Sequence, residues 1–266
     1  MTSDLDALVN ELLSSRKYRE LDLPPELVRD LLERELARQS STREALKVVR
    51  HKLHNVVAAY LGDPDYTAAA NLLSQAQAGN SQHVKAACRQ LLAAHASTRE
   101  RLAILEDFYP RLWEVTSPPA VILDLACGLN PLSFPWMNLP ATTRYHAYDI
   151  HRPRLTLLNH FFTLQGLPPL AEQRDVLVSP PQVEAEVGLF FKEAHRFEQR
   201  QHGCNLAFWK ALRVHWLLVS LPTSSLSGKH DLVERQRRLV YETVQGLPWR
   251  VTEVRFENEL VFCIEK

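Results

Sequence analysis

The stretch Val121-Ile-Leu-Asp-Leu-Ala-Cys-Gly-Leu-Asn-Pro-Leu132 decides the fold of this chain. Its first five residues are apolar apart from Asp124, and the chain then turns at Gly128, a pattern that predicts a buried strand followed by a ligand-binding loop. In an open α/β sheet, ligands bind outside the carboxyl ends of the strands. A dinucleotide site would need the three glycines of G-x-G-x-x-G, and this loop has one. The stretch therefore predicts a cofactor that is held without phosphate contacts.

Two further acids follow at the ends of predicted strands. Asp149 ends Tyr145-His-Ala-Tyr-Asp about 20 residues after the first strand, the spacing at which a carboxylate accepts both hydrogen bonds of a ribose diol. Asp175 is the candidate for the adenine amino group, with a neighbouring backbone N–H for a ring nitrogen. Each acid taken alone could instead cap the helix after its strand. Three acids in equivalent positions favour a binding site.

The form Asp-x-x-x-Gly after an apolar strand resembles motif I of the methyltransferases that use S-adenosylmethionine. This resemblance implies S-adenosylmethionine as the cofactor. The cofactor-binding residues predicted around the three strand ends are Asp124, Ala126, Gly128, Asn130, Asp149, Ile150, Asp175 and Val176.

Composition excludes several classes of protein. Lys plus Arg and Asp plus Glu both number 31, so no overall charge draws the chain of 266 residues to nucleic acid or to membrane, and a basic surface must be local. The four cysteines are far apart and form no C-x-x-C pair, so we expect neither a metal site nor a disulfide framework. The chain shows no signal peptide and no membrane-spanning run, from which we expect a cytoplasmic protein.

The first part of the chain predicts a separate helical domain. Residues 1–108 hold long stretches of Leu, Ala, Arg and Glu with few prolines and glycines, and residues 109–266 hold the predicted methyltransferase domain. Pro24-Pro25-Glu26 predicts the start of one helix, and Ser40-Ser41-Thr42 the start of another.

The second of these helices carries a basic stripe. Lys47, Arg50, His51 and His54 recur at i, i+3, i+4 and i+7, which places them on one side of a helix. A solvated charged face is the ordinary alternative. Only Glu44 offsets these cations, although the whole chain is balanced, so the stripe favours a surface that binds RNA phosphates.

Four segments together resemble the aminoglycoside-resistance 16S rRNA (guanine(1405)-N(7))-methyltransferases. They are His95-Ala-Ser-Thr-Arg-Glu-Arg101, the loop Asp124–Leu132, the strand end Tyr148-Asp149-Ile150, and Leu217–Lys229. Motif I alone marks many methyltransferases, whereas Gly-Leu-Asn-Pro combined with Ser-x-Pro-x-x-Ser-Leu is much more specific. The resemblance covers most of the chain and implies 16S rRNA within the 30S subunit as the substrate.

The resemblance also implies roles for single residues. Arg99 would pair with the methionine carboxylate of the cofactor. Lys192 and Arg196 correspond to a basic position near the substrate pocket of the family. Ser224 and Lys229 lie in the loop expected to contact RNA; the family often has Arg where this chain has Lys229, and Lys lacks the planar bidentate geometry of Arg.

The implied chemistry needs alignment more than acid–base catalysis. Guanine N7 carries a lone pair and no proton, so we predict no catalytic base. The target base must leave its stack in structured RNA, and Phe134, Trp136 or the loop 220–229 would stack on it; Trp136 could equally belong to the core. An RNA-binding domain without catalysis and a small-molecule methyltransferase are alternatives, and the basic stripe argues against the second.

The predicted fold is α/β: a Rossmann-like class I methyltransferase sheet, mostly parallel with an antiparallel last strand, after an α-helical N-terminal domain. Only Glu257-Asn258-Glu259 separates the last two strands, too few residues for a crossover helix, so these strands must pair antiparallel. The predicted strands are Val121–Leu125, Tyr145–Asp149, near Arg174–Leu177, Val187–Phe191, Val214–Ser220, Trp249–Phe256 and Leu260–Ile264.

Overall fold

A mixed sheet of seven strands lies at the centre of the computed structural model, which describes residues 2–57, 63–223 and 232–266. The strands follow the order β3-β2-β1-β4-β5-β7-β6. β1 to β5 are parallel to one another, and β7 runs antiparallel to both β5 and β6, as predicted. The strands are β1 (Val121–Leu125), β2 (Arg144–Asp149), β3 (Ala171–Gln173), β4 (Ala185–Phe191), β5 (Val214–Pro222), β6 (Arg250–Arg255) and β7 (Glu259–Glu265).

The third strand lies earlier in the chain than predicted. It ends at Gln173, and the prediction of a strand near Arg174–Leu177 is therefore wrong. Asp175 starts a turn instead, because its carbonyl oxygen accepts the N–H groups of Val178 and Ser179 at 3.1 and 2.9 Å. The acid still follows the end of a strand, two residues beyond it.

Both faces of the sheet are buried, which explains the continuous apolar runs of its central strands. Successive side chains of a strand point to opposite faces. In β1, Ile122 belongs to one core cluster, whereas Leu123 and Leu125 belong to the other. In β4 the same alternation separates Leu189 from Phe190.

Helices cover both faces of the sheet. The helices are α1 (Thr2–Ser14), α2 (Pro25–Leu36), α3 (Thr42–Val57), α4 (Tyr66–Gln77), α5 (Ser81–Leu92), α6 (Ala96–Arg101), α7 (Leu105–Thr116), α8 (Arg152–Leu164), α9 (Ala194–Arg200), α10 (Cys204–Ala211) and α11 (Val233–Val244), with a 3-10 helix at Asn130–Trp136. α4, α5, α7 and α8 share a core cluster with one face, and α9, α10 and α11 share a cluster with the other.

The first three helices form a core of their own, which we call the N-terminal bundle (residues 2–57). α3 begins where the sequence predicts, and the Ser41 hydroxyl accepts the Glu44 N–H at 3.3 Å. Its apolar side buries Val49 and Leu53 against α1 and α2, so the opposite side faces outward.

The helices up to Val57 and the helices from Tyr66 onward belong to different hydrophobic cores. α4 and α5 precede residue 108, yet Leu73 and Leu91 share their core cluster with the sheet rather than with the N-terminal bundle. A division of function after residue 108 stays a prediction, whereas the hydrophobic cores divide before α4.

Across the described ranges, no helix combines the length and apolar character needed to cross a bilayer. The same ranges contain no grouping of three or more His, Cys, Asp or Glu side chains suited to a metal ion.

Candidate active site

A cavity opens at the carboxyl ends of β1, β2 and β4, where the sequence places the cofactor. Together with its open mouth it holds about 1130 Å³ of empty space, and its walls come from the sheet, from α6 and α9, and from the C-terminal end of α3. Of the predicted cofactor-binding residues, all but Arg99 line it: Asp124, Ala126, Gly128, Asn130, Asp149, Ile150, Asp175 and Val176.

The loop after β1 brings its backbone to the cavity. Gly128 has φ +54°, and Ala126 has a similar left-handed φ of +53°. A side chain at Gly128 would be strained by this backbone and would point at His95 and Arg154, whose nearest atoms lie 3.8 and 4.0 Å from the Cβ position. Glycine therefore keeps this part of the cavity wall open to a ligand.

Asp149 ties the loop to the end of β2. Its buried carboxylate accepts the N–H of Gly128 at 3.0 Å, the N–H of His151 at 3.0 Å and Nη1 of Arg154 at 2.9 Å. These three donors fix both carboxylate oxygens at the cavity wall. An acid held rigidly in this position suits a ribose diol, which supplies two hydroxyl donors.

Asp124 lies in a buried network that orients the same loop. Its Oδ2 accepts Asn130 Nδ2 at 2.9 Å and the Tyr145 hydroxyl at 2.7 Å. The amide oxygen of Asn130 accepts Nη1 of Arg101 at 2.6 Å and the Tyr109 hydroxyl at 2.7 Å. Burial raises the pKa of Asp124 to about 7, although its hydrogen-bond donors and Arg101 lower it.

Arg99 does not reach the cavity, and this corrects the position that the resemblance implied. Arg99 is exposed, whereas Arg101 is buried and lines the cavity. Residues i and i+2 of an α-helix point about 200° apart around its axis, so only one of the two arginines in α6 can point inward. Arg101 pairs with Glu259 at 2.5 Å, and its guanidinium lies 4.4 Å from the ring centre of Phe108.

The position of Lys192 also differs from the prediction, which was that this residue contacts RNA. The residue has φ +62° at the end of β4, and its side chain is only 7% exposed. Its ammonium group lies 2.7 Å from Glu100 and 3.4 Å from Glu259, and donates to the carbonyl oxygen of Ser97 at 3.1 Å. The turn after β4 thus points Lys192 into an ion-pair cluster rather than toward solvent.

Arg196 lines the cavity, and its place near the substrate RNA stays a prediction. It pairs with Glu193 at 2.9 Å and donates to the carbonyl oxygens of Asn55 and Val56 at the end of α3. Burial raises the pKa of Glu193 to about 7, against the charge of Arg196.

Asp175 shares a cavity wall with these groups. Its Oδ1 accepts the N–H of Leu177 at 3.1 Å, and its Oδ2 lies 2.7 Å from Nη1 of Arg200. The carboxylate is therefore fixed in place at the position proposed for the adenine amino group.

The predicted basic stripe lies on the outer side of α3. Lys47, Arg50, His51 and His54 are all exposed. Arg50 pairs with Glu11 at 3.2 Å, and Lys17 Nζ lies 3.0 Å from Nδ1 of His54. The same helix then reaches the cavity through Lys52, Asn55 and Val56. One helix therefore joins the basic surface to the cavity.

Two of the predicted stacking residues, Phe134 and Trp136, do not line the cavity. Trp136 is buried in the core beside the sheet, and its indole N–H donates to Glu106 at 2.8 Å, so the alternative reading of Trp136 is confirmed. Phe134 lines a different, shallower groove with Asn138 and Gln165. Ser224 and Lys229 lie outside the described residues.

The chain is similar in sequence to known proteins over most of its length. The sequence model described as ribosomal RNA methyltransferase (FmrO) matches residues 14–263. The chain belongs to this family. The methyltransferase is 32% identical over 268 aligned positions to a Frankia casuarinae protein named 16S rRNA (guanine(1405)-N(7))-methyltransferase, with 98% of this chain and 94% of the relative covered. A Serratia marcescens protein of the same name is 33% identical, with 98% of each chain covered.

Solved structures agree with the family. The methyltransferase superposes on an rRNA methylase from Escherichia coli with a TM-score of 0.76 and 28% identity, covering 98% of this chain and 99% of the other. It superposes on the 16S rRNA methyltransferase RmtF in complex with S-adenosyl-L-homocysteine with a TM-score of 0.77 and 28% identity, covering 98% of both. The fold is that of the class I methyltransferases, and the cofactor is S-adenosylmethionine.

The donor groups of the cavity fit this cofactor. The fixed carboxylate of Asp149 would accept the ribose diol. Because Gly128 has no side chain, a ligand can come close to the backbone of the loop after β1. Arg101, Ile150 and Val176 also line the cavity, where Arg101 would hold the methionine carboxylate and the two apolar side chains would form part of the wall. When bound, S-adenosylmethionine supplies an electrophilic methyl group.

Sequence reasoning missed most of the ion-pair partners around the cavity. Glu259 opens the last strand, and a single acid before Leu-Val-Phe-Cys-Ile is a signal that could have marked it as buried and paired. Arg154 and Arg200 each share a helix with one other arginine, Arg152 and Arg196 respectively, and no spacing rule singles them out. Arg101 stands in the same short segment as Arg99, and only the helix orientation separates them.

Proposed function

We propose that this methyltransferase transfers the methyl group of S-adenosylmethionine to N7 of the guanine numbered 1405 in 16S rRNA, with the 30S subunit as substrate. The observation that carries this proposal is the continuity of α3, whose outer side is basic and whose C-terminal end forms a wall of the cofactor cavity. Relatives aligned over nearly their whole length are named for this reaction.

The residues of the cavity hold and orient reactants rather than move protons. Guanine N7 has a lone pair and no proton to lose, so Asp124 and Glu193 need not act as bases despite their raised pKa values. The buried network around Asn130 keeps the loop after β1 in one conformation. Rigid positioning of this kind is what an in-line methyl transfer requires.

The RNA side of the proposal rests on basic side chains of α3 and α9. Lys47, Arg50, His51 and His54 would contact phosphates, and Arg196 would lie nearest to the target nucleotide. Ser224 and Lys229 are proposed to contact RNA from the loop 220–229. A ribosomal substrate places the enzyme in the cytoplasm.

Expression in a susceptible bacterium tests the reaction. We expect resistance to 4,6-disubstituted 2-deoxystreptamine aminoglycosides such as gentamicin and kanamycin, and nearly unchanged susceptibility to apramycin. N7 methylation adds a positive charge and bulk to an acceptor edge that these cationic drugs contact. Mass spectrometry of 16S rRNA fragments identifies the modified nucleotide, and Asp149→Ala serves as the matched inactive control.

Two results would contradict the proposal. Equal resistance to apramycin and gentamicin would indicate methylation of a neighbouring adenine at N1. Susceptibility to both drugs, with well-expressed folded protein and unmodified rRNA, would leave an RNA-binding protein without this activity.

A further inference from the structure

Three arginines at the cavity wall each contact two parts of the chain. Arg154, Arg196 and Arg200 all line the cavity. Each bonds to an acid that lines the cavity and also to the N-terminal bundle or to the segment that directly precedes α4. We call these three residues the linking arginines.

Arg154 is the most buried of the three. Its side chain is 1% exposed and joins Asp149, at 2.9 Å, to Asp63, whose two oxygens lie 2.8 and 2.7 Å from Nη2. Asp63 also accepts the Tyr66 hydroxyl and lies 3.4 Å from Nδ1 of His151. Burial raises the pKa of Asp63, but His151 and Arg154 lower it to about 2 overall.

Arg200 and Arg196 make the corresponding contacts on the other wall. Arg200 lies 2.7 Å from Asp175 and 3.5 Å from Asp30 of α2. Arg196 pairs with Glu193 and donates to the carbonyl oxygens of Asn55 and Val56 at 3.1 and 3.3 Å. The last carbonyls of α3 are thus held by a residue of the cavity wall.

Apolar packing supports the same connection. Ile150 lines the cavity next to Asp149, and it packs against the core of the N-terminal bundle. Arg174, by contrast, lines the cavity but bonds to Glu172 and Ser179, within its own half of the chain. Contact with the N-terminal bundle is therefore a property of particular cavity residues and not of every arginine there.

We propose that the linking arginines couple cofactor binding to 30S binding. When the cofactor occupies the cavity, these arginines hold the N-terminal bundle in the position that binds RNA. This inference rests on the proposed function. A cofactor bound at Asp149 and Asp175 fixes the cavity ends of Arg154 and Arg200, and buried charged pairs tolerate little displacement. Binding energies linked in this way are reciprocal: each ligand must tighten the other by the same factor.

The test measures that factor with the full-length protein. The dissociation constant for 30S subunits is determined with and without saturating S-adenosylhomocysteine, which carries no transferable methyl group. The dissociation constant for S-adenosylhomocysteine is then determined with and without 30S subunits. We expect each ligand to tighten the other by about fivefold or more.

A double variant separates coupling from binding. Asp30→Asn with Asp63→Asn weakens the contact of Arg200 with the N-terminal bundle and the contact of Arg154 with the segment before α4, and leaves their cavity partners Asp149 and Asp175 in place. We expect the coupling factor to fall toward one. Asp6→Asn is the matched control, because it removes the ion pair with Arg29 inside the bundle, away from the cavity, and should leave coupling intact.

The outcomes are distinct. A coupling factor of one in the wild-type protein, or full coupling in the folded double variant, overturns the inference while 30S methylation stands. Absence of any 30S binding or methylation contradicts the proposed function itself. If the double variant does not fold, hydrogen exchange on the wild-type protein decides: S-adenosylhomocysteine must slow exchange in α2 and α3, and unchanged exchange there overturns the inference.

Discussion

Ion pairs on the N-terminal bundle differ from those around the cavity in how much water reaches them. Arg50 and Glu11 pair across α3 and α1 with side chains 53% and 59% exposed, whereas Arg101 and Glu259 pair with side chains 3% and 0% exposed. An exposed pair contributes about 0–1 kcal/mol and is screened by salt. A buried pair is costly to form and more costly to break, because breaking it leaves one charge without a partner.

This difference is consistent with the role proposed for each region. Arg50 can exchange Glu11 for an RNA phosphate at little cost, so a surface of loosely paired cations suits reversible binding of a large polyanion. Arg101 cannot leave its place between Glu259, Asn130 and the rings of Phe108 and Phe191. Fixed charges suit a cavity that must hold a small cofactor in one orientation.

The largest expected effect on stability comes from breaking the buried ion pairs of Glu259. Glu259→Gln removes the carboxylate shared by Arg101 and Lys192 and leaves two buried cations, of which Lys192 keeps Glu100 and the carbonyl oxygen of Ser97 as partners. We expect the free energy of unfolding to fall by about 3–5 kcal/mol. Urea denaturation followed by circular dichroism measures this change.

Glu11→Gln is the matched control for that measurement, since it removes a carboxylate from the exposed pair with Arg50. We expect its free energy of unfolding to change by less than about 0.5 kcal/mol. Equal losses in the two variants would show that burial does not separate the two kinds of pair.

A smaller effect concerns the titration of the cavity. Burial raises the pKa of Asp124 to about 7, so this carboxyl group is mostly neutral at pH 6 and about half ionised at pH 7. S-adenosylmethionine is cationic at its sulfonium and favours the ionised carboxylate. Its affinity should therefore rise about fivefold from pH 6 to pH 7, a range below the titration of its own amino group.

Calorimetry at several pH values tests this expectation with two variants. Asp124→Asn should remove the rise in affinity. Glu193→Gln should retain it, although burial raises the pKa of Glu193 to about 7 as well. A flat profile in the wild-type protein, or a rise that disappears only in Glu193→Gln, would show that Asp124 is not the titrating group.

The smallest change in stability is expected from removing two exposed side chains of the basic stripe. Lys47→Ala with Arg50→Ala should alter the free energy of unfolding by less than about 0.5 kcal/mol and leave cofactor affinity intact. The 30S subunit should bind more weakly, and the salt dependence of binding should lose a slope of about 1 for each phosphate contact removed.

An exposed arginine elsewhere provides the control for the stripe. Arg250 lies on the edge strand β6 with its side chain 85% exposed. Arg250→Ala should leave the 30S salt slope at the wild-type value. If the stripe variant also keeps that slope, the stripe is a solvated face and does not bind RNA.

The sequence predicts the sheet well because its signals are local. Asp124 and Asp149 lie near the carboxyl ends of strands with a clear apolar pattern, and the fixed direction of parallel strands brings these ends and the turn that holds Asp175 to one edge. The antiparallel last strand follows from the three residues between β6 and β7. The misplaced third strand is the shortest of the sheet, and a strand of three residues has too little pattern to be located.

The pairing of charges, in contrast, was decided only by the tertiary structure. Arg99 and Arg101 have the same side chain in the same short helix, and Lys192 looks like any cation near a strand end. Which cation is buried depends on helix orientation, on one left-handed backbone conformation at Lys192, and on Glu259, more than 150 residues away from Arg101. Periodicity and turn residues report on neighbours along the chain, whereas an ion pair forms between residues that only the complete fold brings together.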